Sequence, residues 1–189
     1  MSAFTFSQAQ ADMRNGYLCG VPGIWVSGAV WLVAAAVAFQ FSHQVGVLAL
    51  LAGGMVIHPL AVVLARLLGS KGKHTAGNPL GRLAAEGTFW LLAGIAIAYG
   101  MQVLRLEWFF PAMLLLIGGR YLTFQTLYGM KAYWGLGGVL CSVGMALAVA
   151  RVPAPVAALA GGLIEVGFAA LLFNRARREA GARAVVPGA

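Results

Sequence analysis

Acidic residues are nearly missing from this chain: Asp and Glu together number 5 among 189 residues, against 13 Lys and Arg. Charged residues of both signs make up only 10% of it, 61% is hydrophobic, and the mean hydropathy is +0.85. A soluble domain is about half apolar and about a quarter charged. The shortage of charge excludes an ordinary water-soluble globule and points to the bilayer as solvent.

Other scarcities exclude chemistries. The two cysteines, Cys19 and Cys141, both lie in apolar stretches, so they read as small buried hydrophobes and not as a disulfide framework. His, Cys, Asp and Glu never cluster with metal-ligand spacing, so neither a metal nor a cofactor is expected. A haem held by two histidines at one depth is excluded too, because only His58 lies deep in an apolar run. No Ser-His-Asp set shares a depth and no nucleophile elbow occurs, so an enzymatic role is not indicated. "GSKGKHTAG" lacks the phosphate-loop spacing and follows no strand. No signal peptide is expected, because the run 16–41 is too long for one and only one basic residue precedes it.

What is present is a series of apolar windows. Six have roughly the 17–25 residues that a membrane helix needs: 20–41, 45–68, 82–103, 108–128, 132–150 and 153–173. The spacing predicts an all-α integral membrane bundle of six transmembrane helices in one domain, 1–175, followed by a disordered basic cytoplasmic tail, 176–189. Asn78-Pro79 reads as a helix start, Pro111, Pro153 and Pro155 fall in first turns, and Pro59 kinks the second window.

Six windows put both ends of the chain on one side. That side collects Arg14, Arg66, Lys71, Lys73, Arg82, Lys131, Arg175, Arg177, Arg178 and Arg183, and the other only Arg105 and Arg151. By the positive-inside rule both termini face the cytoplasm, as in a multi-pass protein of the bacterial inner membrane. The net charge of +8 is then largely a topology signal with attraction to anionic lipid, and nucleic acid is not expected as a partner. Gly16-x-x-x-Gly20 and "WGLGGVLCSVG" are small-residue surfaces compatible with a homodimer.

Against this background Arg120 stands out, with no charged neighbour within ten positions on either side. His58 lies 13 residues after Val45, Arg120 12 after Trp108, and Glu165 12 after Pro153. At 1.5 Å per residue each is about 18–20 Å below one boundary, near the middle of a core about 30 Å thick. Glu86 enters from the opposite side. An Arg at that depth costs about 2.5–3.5 kcal/mol and needs an anion. Arg120, Glu165, Glu86 and His58 are therefore the candidate mid-membrane polar cluster, with Glu165, or else Glu86, as the partner of Arg120. Thr88, Thr123, Gln125 and Tyr121 could satisfy the remaining donors and acceptors. "EGTF" (86–89) and "EVGF" (165–168) faintly suggest a three-plus-three inverted repeat.

The stretches "YLCGVPGIWVSGAVWLVAA", "GGMVIHPLAVVLARLLG", "NPLGRLAAEGTFW" and "GGRYLTFQTLYGMKAYWGLG" resemble an uncharacterised family of small multi-span bacterial inner-membrane proteins, over about residues 17–173. The resemblance implies a multi-span membrane protein and supplies neither substrate nor site residues. Two readings follow. The chain is a small transporter, channel or ligand-binding membrane protein that handles a small anion or a proton at the buried cluster. Alternatively it is a structural or accessory protein whose buried charges only fix helix packing.

Overall fold

The computed structural model describes the backbone of residues 4–185 and the side chains of residues 4–174. It is all helical over these residues: α1 (Phe6–Tyr17), α2 (Val21–Gln40), α3 (His43–Leu67), α4 (Leu80–Leu104), α5 (Phe109–Tyr128), α6 (Ala132–Val149) and α7 (Ala154–Val185). Helices α2 to α7 each fall on one of the six apolar windows. The expected tail, 176–189, lies outside the residues whose side chains are described.

Five helical segments are long and apolar enough to cross a membrane: 6–40 taken through the α1–α2 corner, α3, α4, α6, and 154–174 of α7. Helix α5 has 20 residues but is not among them. Arg120, Thr123, Gln125 and Thr126 dilute its C-terminal half. It packs on four other helices, α6, α4, α7 and α1.

Helix α1 was not among the expected elements. Its composition is too polar for a membrane window, but its start is well specified. Thr5 and Gln8 form a reciprocal capping box in which the Gln8 N–H donates to Thr5 Oγ1 and the Thr5 N–H to Gln8 Oε1. The chain then turns through Leu18, Cys19 and Gly20, three consecutive residues with positive φ (49°, 57° and 79°). At Gly20 this is also a packing requirement: a Cβ there would sit 2.5 Å from the Tyr133 hydroxyl.

Helix α2 packs along α3 and α7, and α5 along α6 and α4, while α7 bridges to α5 and α6. Close crossings use small residues. A Cβ at Gly118 of α5 would lie 2.9 Å from the Gly137 carbonyl of α6, and one at Gly28 of α2 would lie 3.1 Å from the Val166 amide of α7. Trp31, Phe109, Phe110, Leu114 and Tyr133 are fully buried between these helices. The outer helices α3 and α4, both long and apolar enough to cross a membrane, leave Met55, Val63, Phe89 and Trp90 exposed. Of the small residues read as a dimer surface, Gly16, Gly20, Gly137 and Gly144 press on atoms of their own chain, while Gly138 has nothing within 4 Å.

Candidate functional site

Helix α7 buries a stripe at helical spacing: Ala154, Ala157, Ala158, Gly161, Gly162, Glu165 and Ala169. Glu165 is the one acid on it and is fully buried. Small neighbours one turn before it let α2 and α5 close in; a Cβ at Gly161 would meet Leu114 of α5 at 2.7 Å and Trp31 of α2 at 2.9 Å. The carboxyl therefore sits where α2, α5 and α7 meet. The Ser27 hydroxyl of α2 and the Tyr121 phenol of α5 lie beside it. Neither reaches full hydrogen-bond geometry, and both carboxyl oxygens are without a hydrogen bond. Tyr121 continues into a ring cluster, stacked on Tyr133 at 6.1 Å, with Tyr133 stacked on Tyr128 at 5.5 Å. The Tyr133 hydroxyl donates to the Cys19 carbonyl in the left-handed turn.

Arg120 does not reach this carboxyl. Its Nη1 donates to the Gly87 carbonyl at 3.3 Å and its Nη2 to Thr88 Oγ1 at 3.1 Å, both on α4. The guanidinium carbon lies 5.6 Å from the centre of the Phe124 ring. The expected Arg120–Glu165 and Arg120–Glu86 pairings are absent; among the described residues the one ion pair is Arg105–Glu107, at 3.6 Å. The cause is azimuth. Consecutive helix residues project about 100° apart, so with Tyr121 turned to α7, Arg120 faces the α4 seam. Matching depth places residues in one layer of the membrane, not on facing surfaces.

The other two candidates are further off. Glu86 is exposed on α4, and His58 is exposed on α3, which packs along α2 on the far side of the bundle. Arg120 thus faces the α4 seam, Glu165 is buried among α2, α5 and α7, and Glu86 and His58 are exposed on α4 and α3. Of the polar groups read as satisfying Arg120, Thr88 does so, while Tyr121 neighbours Glu165 instead. Ser27 was not foreseen, although a buried Ser-Gly pair inside "WVSGAV" marks a place where a polar group meets a close helix crossing.

A second polar cluster lies at the α1 end of the bundle. Asp12 accepts from the Thr75 N–H at 2.9 Å, from the Thr75 hydroxyl at 2.6 Å and from Asn78 Nδ2 at 2.8 Å. Burial alone would raise the Asp12 pKa, but these donors outweigh it and hold the carboxyl below its ordinary value. Asn78 Oδ1 in turn accepts from the Leu80 N–H at 3.0 Å, which caps the start of α4. The Tyr17 hydroxyl pairs with His74 Nδ1 at 2.9 Å, and burial raises the Tyr17 pKa. Gln10 and Arg14 donate to the Thr126 and Tyr128 carbonyls at the end of α5, at 2.9 and 2.6 Å. Helix α1 thereby ties the α3–α4 loop to the end of α5.

Two apolar clefts open on the surface, one between α2 and α3 and one between α4, α5 and α6; neither is lined by Glu165 or Arg120. Among the described residues no group of three or more His, Cys, Asp or Glu could hold a metal ion. A lone carboxyl with two neighbouring hydroxyls can hold a proton and pass hydrogen bonds; it offers no nucleophile with a base.

No curated protein and no solved structure matches this chain. One family model does match it, over residues 6–175, which takes in α1 and every helix start after it. By that match the chain belongs to the family of unknown function DUF7010.

Proposed function

We propose that this chain is a six-span protein of the bacterial inner membrane, with both termini cytoplasmic, that binds and releases a proton at Glu165 while transporting a small solute. The observation that carries the reading is a fully buried carboxyl without an ion pair or a formed hydrogen bond. An unpaired carboxylate in a dry interior costs several kcal/mol, so a positive charge must accompany it. With Ser27 and Tyr121 as the nearest polar side chains, a proton fits this space better than a hydrated cation. Ionisable groups inside membrane bundles commonly mark proton relays. Arg120 supports an anionic solute, because two of its donors are used on α4 and the residue is only half-buried.

The orientation rests on the basic residues at the α1 end. Arg14, Arg66, Lys71, Lys73, Arg82 and Lys131 gather there, and Arg105 and Arg151 at the opposite end. Helix α5, 20 residues long, makes the sixth crossing in this reading, with Arg120 turned onto α4 and Tyr121 to α7.

The proton reading is tested on purified protein by infrared difference spectroscopy across a pH titration. A titrating carboxyl band present in the wild type and missing from Glu165→Gln supports it; identical titrating bands in the two proteins refute it. A screen of small anionic metabolites by tryptophan fluorescence, wild type against Glu165→Gln, tests the solute. A second reading, a purely structural bundle, is favoured by the close packing of Gly28, Gly161 and Gly162 around the carboxyl. That reading expects no titrating band and no ligand response.

A further inference from the structure

The cleft between α4, α5 and α6 has a volume of about 380 Å³ and an almost wholly apolar lining. Its floor is made of small residues, Gly94 and Ala98 on α4 and Ala112 on α5, and its walls include Ile97, Met145 and Trp108. Ile97 and Met145 are exposed, so the cleft opens sideways into the region that lipid fills. It lies in the half of the bundle remote from α1, where α4 and α6 end and α5 begins.

Two arginines mark its upper end. The Arg105 guanidinium carbon lies 6.0 Å from the centre of the Trp108 ring, which forms one wall. Arg151 follows α6 three residues after Ala148, another wall residue, and its backbone N–H donates to the Ala148 carbonyl at 3.2 Å. Arg105 contacts Glu107 at 3.6 Å, long for a charge-assisted bond, and 45% of its side chain is exposed. Arg151 is exposed and makes no ion pair among the described residues. An apolar slot below two cations matches the layout of a phospholipid, with tail below and phosphate above. The α2–α3 cleft provides the contrast, since no charged residue lines or directly follows its wall residues Val30, Gly53 and Leu60.

We infer that the α4–α5–α6 cleft is a binding site for one anionic phospholipid of the leaflet at that end, its acyl chain in the cleft and its phosphate held by Arg105 and Arg151. The inference is independent of any role for Glu165.

The protein is reconstituted in phosphatidylcholine vesicles containing brominated phosphatidylglycerol or, separately, brominated phosphatidylcholine. Bromine on the acyl chain quenches a nearby indole, and the Trp108 signal is isolated by subtracting the Trp108→Phe protein. Quenching of Trp108 should favour phosphatidylglycerol by roughly tenfold in effective affinity, given two basic groups near the headgroup. In the Arg105→Gln/Arg151→Gln double variant the two lipids should quench alike. Ala148→Phe, or Met145→Phe should the first fail to fold, should reduce quenching by both. Equal quenching in the wild type, meaning ordinary annular lipid, overturns the site. So does a preference that survives the double variant, or quenching that persists with the cleft filled.

Discussion

Arg120 and Thr88 join α5 to α4 at the outer edge of their seam, Nη2 to Oγ1 at 3.1 Å, and Thr88 Oγ1 itself donates to the Ala84 carbonyl at 2.9 Å. The hydroxyl thus accepts from the cation while donating to its own helix. A thermodynamic cycle with Arg120→Gln and Thr88→Val should give a coupling of about 0.5–2 kcal/mol, the range of polar contacts between membrane helices. The same cycle between Arg120 and Glu165 should give none. Exchanging the charges of Arg120 and Glu165 should fail to restore folded yield in detergent, which would be recovered only if the two faced each other.

Depth and azimuth separate what was readable beforehand from what was not. Helix rise is fixed, so the position of His58, Arg120 and Glu165 along their own helices follows from residue numbers alone. The face each presents depends on which neighbours the helix acquires, and an evenly apolar helix carries little pattern to set it. Helix α5 illustrates this: Gly118, Arg120 and Tyr121 face α6, α4 and α7 in turn. Asn78 was read correctly as a helix-start residue, because a cap is local chemistry. Helix α1 carries its signal in the local pair Thr5-x-x-Gln8 and not in an apolar window, because the segment is amphipathic.

Glu165 also bears on stability. Its two oxygens lack hydrogen bonds, so removing them should relieve a cost and not create one. Glu165→Leu, which removes both oxygens, is expected to unfold in detergent at or above the wild-type temperature; Glu165→Gln, which keeps one buried oxygen and adds an NH2, should unfold near it, and both lose the titrating carboxyl band. A stability gain paired with loss of a property is the usual mark of a residue kept for function. Destabilisation by more than about 3 kcal/mol in both variants, the scale of breaking a buried pair, would mean that Glu165 has a structural partner.

Gly20 should be among the least replaceable positions. Its φ of 79° disfavours any side chain, and an added Cβ would meet the Tyr133 hydroxyl at 2.5 Å and the Tyr128 ring at 2.9 Å. Gly20→Ala is expected to cost about 1–3 kcal/mol or more. Gly23→Ala, where nothing lies within 4 Å, serves as the control and should be near neutral. Comparable loss in both would shift the explanation from the Tyr contacts to general helix packing.

The Asp12 clamp yields a pH dependence whose sign can be worked out. The pKa of Asp12 in the fold lies below its ordinary value of 3.8, so the folded state favours the carboxylate. Its contribution is fully present above that ordinary value and is lost as pH falls through the lowered one. Acid should therefore loosen the α3–α4 loop from α1. Lys71 and Lys73 are exposed in that loop, which makes its release visible as cleavage after lysine. A protease active in acid and specific for lysine should cut the wild type faster as pH drops below the ordinary carboxyl range. Asp12→Asn should cut at the fast rate already at neutral pH, because the neutral amide keeps one acceptor oxygen and sets an NH2 against the donors of Thr75 or Asn78. Ser70 bonds the Asn15 and Gly16 carbonyls at 2.8 and 2.7 Å and anchors the loop without charge. Ser70→Ala should accordingly raise cleavage at every pH by the same factor, leaving the pH profile unchanged. A wild-type profile flat in acid, or an Asp12→Asn profile that still bends there, would assign the loop's restraint to Ser70 and Tyr17–His74 instead.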